Sequence, residues 1–540
     1  MVLADQLRAL EAAQGDEAAL ALAAVDLGYP DLPEAERQAI KDALEAAAVP
    51  HWFDRSILAA LLDIPFGEAA ARLVQLRALR VVEPFPARGE SALNVHEAAR
   101  LALRRRLAES NWNGLCLRSA RAAACFAQDP GPAGRVEWIF HLLIADPDRG
   151  ASELEALHRA WVGRACPEDR FALASALKEL KAAGLTQGRA RVWLILVEAW
   201  TRVSRGESAR LEDDAREALH LAQGDRSAEA EALCLLGDVF EAQGRLEDAQ
   251  AAYVQSLAIC RRLTDEAPGN EGWQRELAVA YSRVGDMHQA QGKLDAADAA
   301  FREYLAIVRR LAERDPENAG WQRDLAVAWG RLGDLLLSDG KPEGAKAAYT
   351  EDLEIARRMA GLDLGNAGWQ RELAVAHAKL ADALYAQGGL EEAHAAYTET
   401  LAICRALAER DGSNAVWRKD LAVAHGRVGN VLKAQGRLEE ARVEYGVFQA
   451  ICRDLVEQDP SNAEWRRDLA LATQRLANIE ARIGRTEVAL RLFEDSVGLF
   501  DALMALSRGN AQWVSERKLA KSELERLRSA GPAAESTGQS

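Results

Sequence analysis

Five basic residues, Arg283, Arg331, Lys379, Arg427 and Arg475, recur forty-eight residues apart, and three positions after each stands an acid or an amide: Asp286, Asp334, Asp382, Asn430 and Asn478. On a helix, a spacing of three puts the two members of each pair on one face. Two chemistries are open to such a row. It can be a solvated ladder of salt bridges, each contributing little to stability. It can equally be a bank of fixed guanidinium forks and amides that holds an extended peptide by its backbone and its acidic side chains. Arg427 and Arg475 have an amide rather than Asp three residues on, so acidic ligands are expected to favour the last two copies.

Bond-making chemistry has no comparable signal. The nine histidines are dispersed, and neither H-E-x-x-H, G-x-S-x-G nor the phosphate-cradling G-x-x-x-x-G-K-[ST] occurs. His96-Glu97 alone is not a metal pair, and Cys166 beside Pro167 has no recognisable catalytic neighbours in sequence. The expectation is a non-enzyme that needs no cofactor and no metal.

The elements that position the charged row are themselves periodic. Trp273, Trp321, Trp369, Trp417, Trp465 and Trp513 share its forty-eight-residue spacing, and a fixed period of this size means one supersecondary unit copied in tandem. Three residues before each tryptophan stands Asn270, Asn318, Asn366, Asn414, Asn462 or Asn510, where a side-chain oxygen can cap a starting helix. From Trp273 the stripe Leu277, Tyr281, Val284 fits one helix face ending near Gln291, and Leu294, Ala297, Phe301, Leu305, Val308, Leu311 fits a second. Between them Gly292, like Gly244, Gly340, Gly388, Gly436 and Gly484, can take the positive φ of a tight turn. The tryptophans are expected to seal the seams between copies, the other use being an exposed ladder on which a ligand stacks.

Small residues mark where the two helices approach: Gly285, with Gly237, Gly333 and Gly429, in the first, and Ala297, with Ala249, Ala345, Ala393, Ala441 and Ala489, in the second. An aromatic follows at Tyr253, Phe301, Tyr349, Tyr397 or Tyr445. This pattern, over roughly residues 190–515, resembles the tetratricopeptide repeat. The departures are Ala381 and Ala477 in place of the first-helix glycine, and a length of forty-eight rather than about thirty-four, which should lengthen both helices by about two turns. The resemblance implies that the first helix of each copy lines a concave groove, with Arg283, Asp286, Arg331, Asp334, Lys379, Asp382, Arg427, Asn430, Arg475 and Asn478 facing a protein or peptide partner. The family's carboxylate clamp has further lysines earlier on the helix. Val279, Val327, Val375, Val423 and Leu471 stand there instead, which argues against that clamp.

The N-terminal part reads differently. A helix over about Pro33–Ala48 precedes Asp54, a cap for Ile57, Leu58, Leu61 and Leu62; a second helix covers Phe66–Arg80. Val81-Val82 and Leu93–Val95 alternate like a short hairpin around Pro84–Gly89, and a third helix covers Glu97–Glu109. Helices followed by a two-stranded flap look like a winged helix. The stretch LNVHEAARLALRRRL resembles the winged-helix segment between the nucleotide-binding core and the repeat arm of signal-transduction ATPases with numerous domains. With no phosphate loop, and with helical sequence from Leu3 to Ala13 opening directly after Met1, the chain reads as the downstream part of such a protein without its motor. The resemblance then implies a sensor arm acting on an ATPase supplied by another chain or lost. A winged helix can also read DNA. Arg72, Arg77, Arg80, Arg88, Arg104, Arg105 and Arg106 suit that alternative, whereas Asp54, Glu68, Glu83, Glu90, Glu97 and Glu109 dilute it.

These readings assemble into an all-α chain, a superhelical repeat solenoid preceded by a small winged-helix-like domain with a short β-hairpin. The boundaries are 1–110 for the lead-in and winged helix, 111–229 for irregular helical repeats or a cap, 230–515 for the array, 516–530 for a terminal helix, whose helical pattern runs over Val514–Ser529, and 531–540 for a disordered tail. At 540 residues the chain exceeds one compact core, and its charge of −16 with a pI near 5.3 provides no global attraction to nucleic acid or anionic membranes. Cys260, Cys404 and Cys452 share a register with Val308 and Ala356, a small core position, which points to a reducing, cytoplasmic setting. There is no signal-peptide pattern, and the longest apolar run, Val192–Val197, is too short to span a bilayer.

Overall fold

Helix-favouring, alanine-rich sequence with a cap and a glycine stop in every copy dictates what a computed structural model of the protein contains. The structure describes residues 15–161, 167–204, 210–506 and 511–530, which hold 24 α-helices and a single two-stranded sheet. The expectations on Leu3–Ala13, Cys166, Asn510 and Gly531–Ser540 lie outside the described residues. None of the described helices is long and apolar enough to cross a membrane. The chain forms two compact units, Met1–Met287 and His288–Ser540.

In the first unit, Asp54 caps the helix Arg55–Leu62 by accepting from the amides of Ser56 and Ile57 at 2.8 and 2.9 Å. The helix Phe66–Arg77 follows, shorter than expected. Strands Val82–Pro84 and Leu93–Val95 then pair antiparallel, and Leu93 also bridges to Phe53. Their apolar sides join Ile40, Leu44, Leu58, Leu61 and Leu76 in one core, closed by the helix Glu97–Ser110. Beyond it, helices Pro132–Ala145, Pro167–Ala183 and Gly188–Ser204 share a second core that includes the buried Trp193.

A buried node of charge joins these two cores. The His51 ring lies between Glu137, with Nδ1 to Oε1 at 2.8 Å, and Glu179, with Nε2 to Oε2 at 3.2 Å. The fully buried Arg104 donates to Glu179 at 2.9 Å and to the Ala48 carbonyl at 2.8 Å. Desolvation pushes the Arg104 guanidinium down to about 10, while the His51 and arginine donors hold Glu179 at about 2 in spite of its burial.

In the second unit each copy is a pair of helices of about twenty residues, such as Ala319–Ser338 with Pro342–Leu362, and successive helices pack on their neighbours to the end of the array. Asn318, Asn366, Asn414 and Asn462 cap the first helices through the amide of the tryptophan three residues on, at 3.1–3.3 Å. The turn glycines all take positive φ, from +69° at Gly340 to +93° at Gly484. Inside each hairpin the second-helix alanine, for example Ala345 or Ala441, is fully buried. The tryptophans are half-buried, neither sealed in nor standing free as a stacking ladder. Trp513 packs against Ala470, Phe500 and Leu503.

The first-helix glycine is required by contact distance. A Cβ at Gly333 would lie 2.4 Å from the Tyr349 ring, and one at Gly429 would lie 2.7 Å from Tyr445. Overpacking of this kind costs about 1–3 kcal/mol where the backbone has not adjusted. Gly333→Ala should therefore lower the urea midpoint of the protein, and an unchanged midpoint would show that the hairpin widens freely.

Candidate functional site

The charged row lies on the first helices, and its pairing differs from the spacing-of-three expectation. Asp334 and Asp382 are each held from two sides. Within its own copy it accepts from the second-helix tyrosine: Tyr349 Oη donates to Asp334 Oδ1 at 2.7 Å, and Tyr397 donates to Asp382. From the following copy it receives the basic residue: Lys379 Nζ reaches Asp334 Oδ2 at 2.9 Å, and Arg427 reaches Asp382 at 3.3 Å. The same rung occurs in the first unit, where Tyr253 and Arg283 both bond Asp238, an acid that the reading of the row had not included. The pairs thus span forty-five residues rather than three. Burial raises the carboxyls of Asp238 and Asp382 above the usual range even with a cation beside them, and it drives Tyr349 and Tyr397 far above theirs. Asp286 and Arg331 are engaged as well.

A second ladder, which the search for ligand residues missed, runs along the beginning of the same helices in the second unit. The residue two after one tryptophan pairs with the residue three after the next: Arg323 with Glu372, Arg371 with Asp420 at 2.5 Å, and Arg467 with Glu516 at 2.9 Å. Lys419 departs by reaching Glu464 instead. The signal was present in the sequence as a basic-acidic doublet in five copies, Arg275-Glu276 to Arg467-Asp468, but only the stacking shows which acid each base meets.

Arg427 was expected to lack a neutralising acid, and that is corrected by its contact with Asp382. Arg475 forms no ion pair among the described residues, although its charge acts on the Asp468 carboxyl. The counterpart of Arg475 forty-five residues back is Asn430, whose oxygen already accepts from Tyr445 at 2.7 Å, and the Arg475 guanidinium lies 5.8 Å from the Phe448 ring centre. Asn478 donates to the Gln474 carbonyl at 3.0 Å. Burial, with the charges of Arg475 and Arg482 beside it, pushes the Lys433 ammonium below its ordinary value. None of Lys433, Arg475 and Arg482 forms an ion pair among the described residues, although the Arg475 charge lowers the Asp468 carboxyl against its burial. Of the ten row residues, the structure thus joins Lys379 to Asp334 and Arg427 to Asp382, and it leaves Arg475 with an amide.

The arginines that suited DNA are divided by the fold. Arg104 is buried in the node with Glu179, and Arg100 joins it at 3.1 Å, so the charge of that helix is largely internal. Arg80, Arg88, Arg105 and Arg106 remain exposed. Among the described residues no three His, Cys, Asp or Glu side chains gather to hold a metal ion.

Comparisons with known proteins agree with the geometry. Two family models described as tetratricopeptide repeat match, one over residues 277–317 and 374–412 and the other over 230–262. The chain therefore carries tetratricopeptide repeats. A search of curated proteins finds no match. Among solved structures, a signal transduction ATPase with numerous domains with a tetratricopeptide repeat sensor, from Pyrococcus horikoshii, aligns with a TM-score of 0.55 at 14% identity, over 88% of this chain and 65% of that one. The present chain thus spans about two thirds of that protein's length, and the likeness is one of fold. BtubC from P. vanneervenii aligns with a TM-score of 0.36 at 19% identity, over 47% of this chain and 90% of that one. A Rap protein complexed with competence and sporulation factor aligns at 0.40 and 14%, over 70% and 100%.

The inter-copy rung is measurable as a coupling. In a double-mutant cycle with Arg427→Met and Asp382→Asn, the two changes should interact by about 1 kcal/mol. The same cycle with Arg427→Met and Asn430→Ala should show far less. Equal couplings would return the pairing to a single helix.

Proposed function

We propose that this chain is a non-enzymatic sensor or adaptor arm, in which the groove walled by the first helices holds an extended segment of a protein partner. The observation that carries this reading is the place where the rung fails. Three cations, Lys433, Arg475 and Arg482, stand together without an ion pair among the described residues, Asp468 offsetting only part of the Arg475 charge, and like charges crowded in this way are relieved by an incoming carboxylate. Asn430 and the half-exposed Tyr385 beside them supply an amide and an aromatic edge of the kind that fixes peptide orientation. The preferred ligand is accordingly an acidic segment, bound at the C-terminal end of the row, and Asp334, Asp382, Lys379 and Arg427 contribute to the wall more than to the contact.

The fold shared with the Pyrococcus horikoshii ATPase, together with the winged-helix-like lead-in, supports coupling to a separate ATPase chain. The unpaired cysteines at a buried register suit a reducing, cytoplasmic compartment. With Arg100 and Arg104 directed into the node, nucleic acid is the poorer partner.

A random-peptide array incubated with the purified chain should enrich Asp and Glu. Replacing Lys433 and Arg475 by Glu should lower binding of the selected acidic peptides at least about tenfold, the effect of losing one charge-assisted contact, while the circular dichroism stays unchanged. Acidic peptides retained at parental affinity would remove the basis for this reading.

A further inference from the structure

One buried acid of the array is left without a partner. In the second-helix register where Ser256, Thr400 and Ser496 stand, a hydroxyl donates to a first-helix carbonyl, that of Ala230, Ala374 or Ala470, at 2.9–3.3 Å. Asp352 occupies this register in its copy, and a carboxylate cannot donate. Asp352 is 9% exposed, and among the described residues its side chain makes no hydrogen bond and no ion pair, Lys379 acting on it only at longer range. Leaving a charged group so buried and unmatched is costly unless something completes it.

What lies in front of it is a cavity. Gly330 stands where other copies have Cys234, Ser282, Ala378, Gly426 or Gln474, and it opens the space: a Cβ there would meet Asp352 Oδ2 at 3.2 Å and Lys379 Nζ at 2.9 Å, whereas the space at Gly426 is taken by the Phe448 ring. The cavity measures about 290 Å³ and opens on the wall of the first helices. Ile355, Ala356 and Met359 form its apolar sides, and Val327 and Val375, each 44% exposed, stand at its mouth. The other charges that face it are already matched. Lys379 is held by Asp334, Arg323 by Glu372 and Arg371 by Asp420, and Arg331 is engaged. Asp352 is the charge left over.

An acid at the bottom of an apolar shaft is the complement of a side chain with an aliphatic stem and a cationic head. We propose that the Gly330–Asp352 cavity is a subsite for one basic side chain, lysine or arginine, of the segment held in the groove. This rests on the peptide-binding reading above and adds to it: the ligand carries a basic residue that enters this cavity as well as the acids that meet Lys433, Arg475 and Arg482. The stem would lie on Met359 and Val375, and the head would replace the missing donor of Asp352. Burial pushes the Asp352 carboxyl up to about 7, with Asp334 and Glu372 adding to the effect and Lys379 opposing it. The subsite therefore carries its full negative charge above neutrality and loses it in mild acid.

The test is selection from a phage-displayed random peptide library on the full chain at pH 8, repeated with Asp352→Asn and with Asp352→Thr, the residue that the next copy tolerates at Thr400. The parent should enrich Lys or Arg at one fixed position, and each variant should lose that enrichment roughly tenfold, as expected for one buried ion pair, while still selecting acids elsewhere. Synthetic copies of the selected peptides should bind the parent more weakly at pH 5.5 than at pH 8, a difference absent in Asp352→Asn. Acidic peptides selected without a basic position, or a basic position indifferent to both variants, would overturn the subsite and leave the groove reading standing. A library that yields no peptide would overturn both.

Discussion

A carboxylate drawn partly out of water between helices must be given donors, and in this array it receives them from two directions. Asp334 takes the phenol of its own hairpin and the ammonium of the next copy. The first bond fixes how the second helix sits against the first, because the same tyrosine ring fills the space that Gly333 leaves. The second fixes how one hairpin sits on its successor. In the copies of Asp238, Asp334 and Asp382 one acid thereby sets both the closure of the unit and the register of the stack, and apolar burial of the alanine and leucine stripes supplies the bulk of the stability around it.

This arrangement changes what the periodic charges are for. A guanidinium that already spans two copies is a poor ligand contact, since binding would have to break the rung before making anything new. On the proposed reading, recognition is then concentrated where the pattern is interrupted. Asn430 in place of an aspartate releases Arg475 from its rung, and Gly330 with Asp352 opens a cavity where neighbouring copies close a hydroxyl onto the backbone. In a repeat protein the consensus builds the wall and the exceptions mark the places where it can discriminate between partners.

Much of this was legible in the residues. Asn318 and its equivalents cap, Gly340 and its equivalents turn, Asp54 caps its helix and Leu93–Val95 returns as a strand, because each of these depends on a few neighbouring residues and on rules that hold locally. The pairing of the charges was not legible. Spacing of three and spacing of forty-five are both written in a period of forty-eight, and only the packing of one hairpin on the next chooses between them. The node of His51 with Glu137 and Glu179 was equally hidden, since its members are 86 and 128 residues apart in sequence. Arg104 reads as part of a basic run, yet its side chain is internal while Arg105 and Arg106 face water. Asp352 was visible as an odd residue in a register of hydroxyls, but its significance required the cavity that Gly330 creates.

The two interruptions also differ in sign, and this has a consequence for the ligand. The copies near Gly330 and Asp352 present one unmatched negative charge in an apolar shaft, whereas the copies near Arg475 present unmatched positive charge on an open helix face. A segment with a basic residue towards one end and acids towards the other fits this pattern in one direction only, since reversal would set ammonium against guanidinium and carboxylate against Asp352. Direction is a property that an extended chain lying in a groove does not otherwise have, because the backbone hydrogen bonds of a peptide can be met in either sense. The acidic surroundings sharpen the contrast: in a chain of formal charge −16, a local excess of cations is a focus that an acidic segment finds at long range. The buried Asp352 acts only at contact. Steering and register are thus assigned to different residues.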